Sequence, residues 1–196
     1  MPGNHEYRTP GASGFFDYFA LQARWRPPPY YAYNVGAWRL LALNSNCEPE
    51  RVDCVAEERW LRANLAAEPH KCTLAYWHHP RYSSGFHGSD PRMNAFWEPL
   101  DAADAEIVIS GHDHHYERFA RQDATGQRTA IGMQQFVVGT GGNHPSVIRE
   151  PLAPHSERRQ NEHFGVLLLR LYDDAYSWRF VALGGRVLDQ GNGDCF

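Results

Sequence analysis

Short apolar runs alternate with polar stretches along this chain, and several runs end on asparagine or histidine. Tyr30–Tyr33 and Trp38–Leu43 read as paired strands, with a hairpin turn at Asn34-Val35-Gly36. Val55–Ala67 is rich in helix formers and carries an apolar stripe at Trp60, Leu61 and Leu65. Early Glu57 and Glu58 and later Arg62 suit the helix dipole, and Glu68-Pro69 stops the helix. Cys72–Trp77 reads as a buried strand delivering His78-His79-Pro80, and Glu106–Ser110 as another delivering Gly111-His112-Asp113-His114-His115. Between them, Met93–Ala105 is a second helix with Phe96, Trp97 and Leu100 on one side and Pro99 weakening its middle.

Strand, helix, strand and loop in this order predict an α/β protein, with functional groups gathered at the carboxyl ends of the strands. Gln134–Val138 is a further strand. Residues Pro145–Glu162 read as an irregular surface loop. Phe164–Tyr172 and Tyr176–Leu183 form a hairpin about Asp173-Asp174, and Gly184-Gly185 turns into a last short strand, so the second half is antiparallel in character. Nearer the start, Phe15, Phe16, Tyr18, Phe19 and Leu21 suggest one short helical face, broken by the prolines of Trp25–Pro29.

Composition adds bounds. The chain of 196 residues fits one domain, 42% hydrophobic and 21% charged, and can bury a real core. A net charge of -4 argues against binding driven by nucleic-acid phosphates. No apolar run approaches the roughly 20 residues that span a bilayer, and no signal peptide is visible. Cys47 and Cys54 flank a polar loop and fit a short disulfide, which implies an oxidising compartment. Cys72 and Cys195 either pair or leave Cys72 a buried thiol.

The eleven histidines matter through their clustering after apolar runs. His112 and His114 follow a strand and a glycine turn, an arrangement that suits a two-metal site with ions about 3.5–4 Å apart. A pair of solvated loop histidines is the bland alternative. His78 also sits at a strand end, with His79 competing for any role and Pro80 stiffening the turn. Asn4, in Gly3-Asn4-His5-Glu6, offers an amide oxygen to a hard or borderline cation, although a turn asparagine is the commoner fate. An imidazole at His5 would donate a proton to a leaving oxygen or steady developing charge. Thr140 and the glycines after it read as a plain turn.

Taken in order, Gly3-Asn4-His5-Glu6, His78-x-Pro80 and Gly111-His112-x-His114 resemble the last three signature blocks of the calcineurin-like metallophosphoesterases. The match is similar to the purple acid phosphatase branch, whose final block commonly runs on into Tyr-Glu-Arg, as Tyr116-Glu117-Arg118 does here. The resemblance implies that Asn4, His78 and His112 ligate one metal and His114 the other, that His5 assists the leaving group or binds phosphate, and that His87 faces the substrate. It implies two divalent or trivalent ions of iron, zinc or manganese. It implies phosphate-ester hydrolysis by a metal-activated hydroxide attacking phosphorus in line. The fold it implies is α/β, a β-sandwich of two mixed sheets flanked by helices (αββα).

Two earlier blocks of that family, which carry the bridging aspartate, have no counterpart among these residues. Asp113 and Asp17 are carboxylates that nothing in the sequence places as substitutes. The expectation is therefore a single, N-terminally truncated metallophosphoesterase domain over residues 1–196, missing the first strands, from an extracellular or periplasmic parent. Two other functions stay open: a weak or inactive piece that only binds metal or phosphate, and a histidine-rich metal-binding domain unrelated to phosphate.

Overall fold

The computed structural model describes residues 1–23, 29–48 and 51–196, with the side chains of 20–23 left aside. The proline break expected at 25–28 and the side chain of Leu21 lie outside these residues. A helix α1 (Ser13–Ala23) does carry the aromatic run, but Tyr18 and Phe19 are exposed and meet each other's rings at 4.9 Å.

The first strands are β1 (Tyr31–Val35) and β2 (Trp38–Ala42), an antiparallel pair turning at Gly36, which has φ +57°. Then come α2 (Cys54–Ala67), β3 (Cys72–Tyr76), α3 (Asn94–Asp101) and β4 (Ile107–Ser110). The remaining strands are β5 (Tyr116–Phe119), β6 (Gln134–Val138), β7 (Ser156–Gln160), β8 (Gly165–Leu171), β9 (Ala175–Ala182) and β10 (Val187–Asp194). Seven strands form one mixed sheet in the order β1-β2-β3-β4-β6-β5-β7, and three form a second in the order β10-β9-β8. Strands β2, β3, β4 and β6 run parallel, so their carboxyl ends share one edge. Every functional candidate after the first turn is delivered there.

Strand alternation builds two cores from one sheet. Leu41, Ala75, Val108 and Val137 face α2 and α3, where they meet Leu61, Phe96, Trp97 and Leu100. Leu40, Leu74, Ile107 and Phe136 face the small sheet and meet Tyr176, Trp178 and Phe180. Full burial of each such side chain contributes about 1.5–3 kcal/mol. Tyr116 stacks on Phe180 with ring centroids 4.1 Å apart, and its hydroxyl donates to Asp189 on β10 at 2.7 Å. The result is an α/β arrangement of one helical layer and two stacked sheets, in line with the expected helix-flanked sandwich.

Several expectations need correction. The stretch 145–162 is not wholly irregular, because β7 lies in it and pairs with β5. Strand β5 itself was hidden in the histidine-rich motif. The last strand has eight residues and is not short. The second sheet is antiparallel throughout, not mixed. The helix expected over Met93–Ala105 is a 3-10 turn at Pro91–Met93 followed by α3, which ends at Asp101. Glu57 does not simply favour the helix dipole: it is fully buried and accepts the Asn44 N–H at 2.6 Å. Both disulfides form, Cys47–Cys54 and Cys72–Cys195, the second tying β3 to the residues after β10.

Candidate metal centre

Three segments meet at the carboxyl edge of the parallel strands. The first, Met1–Tyr7, is held by the loop after β2: Asn46 donates to the Pro2 carbonyl at 3.1 Å, and Asn44 donates to the Tyr7 hydroxyl at 2.8 Å. Gly3 is required here, because a Cβ would lie 2.7 Å from the His78 ring. Close approach of this backbone brings the Asn4 amide oxygen to 3.0 Å from His78 Nε2. The second segment follows β3, and the third follows β4. His112 adopts a left-handed backbone at φ +64°, unusual for a residue with a Cβ. That turn puts its Nδ1 3.1 Å from the same His78 Nε2.

One ring nitrogen cannot hydrogen-bond well to both partners with a single proton. The 3.0 and 3.1 Å separations instead approximate the edges of a coordination shell with bonds of about 2.0–2.2 Å. The donor set fits a cation. Burial, and then neighbouring histidine charge, lowers the His78 pKa to about 3. Burial first, then the same kind of neighbours, lowers that of His112 to about 4. Both rings are therefore neutral at pH 7 and keep lone pairs for a cation.

The other expected residues are placed differently. His87 packs its ring on His112 with centroids 4.3 Å apart. His5 is exposed and near enough for its charge to act on His78. His114 does not join the cluster. Its Nδ1 lies 3.0 Å from the His144 carbonyl, which can only accept, so Nδ1 carries the proton. The lone pair is then on Nε2, which faces the Asn143 amide at 3.4 Å. Orientation of an imidazole by a backbone carbonyl is the usual arrangement around metal-ligating histidines.

Sequence reasoning left two of the residues here, His79 and Asp113, without a settled role and missed a third, Ser45. His79 comes with His78 and His112 into one group whose ligand atoms lie within 4.8 Å of one another. Ser45, just past β2, touches both His78 and His79. Asp113, which the sequence could not place, is fully buried and accepts from Ser83 Oγ at 2.5 Å, His87 N at 2.8 Å and Gly88 N at 3.2 Å. Gly85 leaves room for it, since a Cβ there would fall 2.3 Å from the carboxyl carbon. Asp113, His115 and Glu117 are all fully buried, while His112 and His114 are not. The run His-Asp-His-His-Tyr-Glu has no polar and apolar alternation, so the sequence carried no signal of that burial.

A cavity of about 600 Å³ opens beside the cluster, lined by Asn4, His79, His87 and His112 among others. Three arginines (Arg8, Arg51 and Arg92) and two carboxylates (Glu48 and Asp90) surround it. Two of the arginines are paired, Arg51 with Glu48 and Arg92 with Asp90.

Comparison with known proteins bears on this edge of the sheet. A family model for calcineurin-like phosphoesterase matches residues 1–116. Purple acid phosphatase 21 of Arabidopsis thaliana is 27% identical over 197 residues, covering 90% of this chain and 44% of the relative. Purple acid phosphatase 22 of the same plant is 28% identical with the same coverage. A purple acid phosphatase from yellow lupin (Lupinus luteus) seeds shares the fold at a TM-score of 0.67 and 17% identity, over 97% of this chain and 39% of that one. The chain thus spans less than half the length of the curated relatives it matches. The family match runs through all three histidine- and asparagine-bearing turns, and the chain belongs to the calcineurin-like phosphoesterase family.

Proposed function

We propose that this chain carries the site of a metal-dependent phosphoric ester hydrolase, with Asn4, His78 and His112 holding one cation. The observation that carries the reading is the convergence of two ring nitrogens and an amide oxygen at 3.0 and 3.1 Å. His114 is the candidate ligand of a second cation, supported by the lone pair on its Nε2, which the Asn143 amide faces at 3.4 Å. Iron, zinc and manganese all suit this nitrogen and oxygen set.

Cations bound there would supply charge for a phosphoryl oxygen and lower the pKa of water. The protein's own groups do the rest. Three arginines against two carboxylates around the cavity favour an anionic ester. His87, pressed on His112, lies beside the place where a phosphate would sit and can donate to it. His5, exposed and near His78, can hand a proton to the departing oxygen. The two disulfides support an oxidising, extracellular or periplasmic setting.

One observation favours a second reading. His114 stands apart from the cluster, and on this second reading the residues described hold a single cation and bind phosphate with little turnover. Metal content and p-nitrophenyl phosphate hydrolysis of the purified chain separate the two. Two equivalents of metal with robust turnover support the hydrolase. One equivalent without turnover supports the binding protein. No metal at all overturns both.

A further inference from the structure

Ser45 follows β2 and sits beneath both histidines of the second turn. Its Oγ lies 3.2 Å from the His78 amide nitrogen, 2.9 Å from that of His79, and 2.9 Å from His79 Nδ1. A hydroxyl has two lone pairs and one proton. The two backbone N–H groups can only donate, so they occupy both lone pairs. The hydroxyl proton remains for His79 Nδ1, which must accept it. An imidazole that accepts at Nδ1 carries its proton on Nε2. An imidazolium is excluded by the same count, because its Nδ1–H would meet an oxygen with no lone pair to offer.

The rest of His79 is also pinned. Its carbonyl accepts the Trp77 indole N–H at 2.7 Å, and its ring lies 4.5 Å from that of His112. Nε2 has no hydrogen-bond partner among the described residues, yet it is not one of the fully buried orphaned atoms. His79 lines the cavity beside Asn4, His87 and His112, so Nε2–H opens toward that space. A metal ligand needs a lone pair, and this nitrogen has none. Proximity to His78 and His112 therefore does not make His79 a third imidazole ligand.

We infer that His79 is a substrate-binding donor, presenting Nε2–H to an anionic oxygen of the phosphate ester, with Ser45 as the positioning residue that fixes its tautomer. The identity of the acceptor rests on the phosphate-ester reading; the tautomer does not. A buried N–H aimed at an anion strengthens binding without taking part in metal coordination.

Long-range proton–nitrogen NMR on the full chain reads the tautomer of His79 directly. The expected spectrum shows Nε2–H in the wild type and a shift toward Nδ1–H in Ser45→Ala. Inorganic phosphate binding to the metal-loaded chain, followed by calorimetry, reads the function. His79→Leu is expected to weaken phosphate about tenfold with unchanged metal content, and His79→Gln, which restores an N–H, to recover part of it. An Nδ1–H wild type, loss of metal in His79→Leu, or unchanged phosphate affinity overturns the inference. A wild-type chain that binds neither metal nor phosphate overturns the hydrolase reading and with it the acceptor, while the spectrum still judges the tautomer.

Discussion

His78 Nε2 and His112 Nδ1 lie 3.1 Å apart although 34 residues separate them in the chain. The parallel pairing of β3 with β4 brings the two turns side by side. The Asn4 oxygen completes the approach from a third segment. Replacing His78 by Ala removes the atom common to both contacts. Metal content measured by atomic emission on dialysed protein should fall by one full equivalent in His78→Ala, and partly in Asn4→Ala.

His114 provides the contrasting case. Its ring is held by the His144 carbonyl and the Asn143 amide, away from the His78 cluster. In His114→Ala the first equivalent of metal should stay bound with unchanged affinity, and any second equivalent should be lost. Competition titration with a chromophoric chelator resolves the two. Loss of the first equivalent would show that the sites are coupled.

Asp113 anchors the loop that carries His87. Its carboxylate accepts from one hydroxyl and two backbone N–H groups in a fully buried position. Asp113→Asn replaces an acceptor with a donor that meets another donor, a mismatch that costs about 1–3 kcal/mol. Chemical denaturation should show that loss. With the protein still folded, KM for a phosphate ester should rise more than kcat falls, because His87 is displaced while the His78 cluster stays in place.

One buried carboxyl and two half-buried histidines set the pH dependence of stability in opposite directions. Burial pushes the Glu57 carboxyl up to about 9, against a single backbone N–H bond from Asn44. The folded state then binds more protons than the unfolded state between about pH 4.5 and 9, so stability falls as pH rises through that window. His78 and His112 act the other way. Their folded values of about 3 and 4 lie below the ordinary 6.5, so stability is lost as pH falls below 6.5. Glu57→Gln should flatten the decline in urea midpoints up to about pH 9 and leave the limb below about pH 4.5 unchanged.

The disulfides differ mainly in the loop they close. Cys72–Cys195 spans 123 residues and Cys47–Cys54 spans 7. Chain entropy gives about 5 kcal/mol for the first and about 2 kcal/mol for the second. Thermal melts of the two Cys→Ser pairs should show the larger drop in Tm for the 72–195 pair. Equal drops would mean that local packing, and not loop closure, dominates.

Much of the strand and helix plan was legible from apolar runs alone. Trp38–Ala42, Cys72–Tyr76, Ile107–Ser110 and Gln134–Val138 are buried on both faces, so they read as largely apolar segments. The hairpin around Asp173-Asp174 was readable from two runs flanking a polar turn. Strand β7, by contrast, is Ser-Glu-Arg-Arg-Gln at a sheet edge, with no apolar face to announce it. Its strand state comes from hydrogen bonding to β5, which no local pattern encodes.

The candidate site divides along the same line. The sequence by itself determined which side chains are available, Asn4, His5, His78, His87, His112 and His114, and that His78 and His112 follow strand ends, because turns after apolar runs are local features. Only the tertiary structure decided which of them meet. Parallel register aligned His78 with His112, docking of the first residues brought in Asn4, and the 143–146 loop held His114 apart. It also gave Ser45, His79 and Asp113 their places, since the number of protons and lone pairs around a buried atom depends on neighbours far away in the chain.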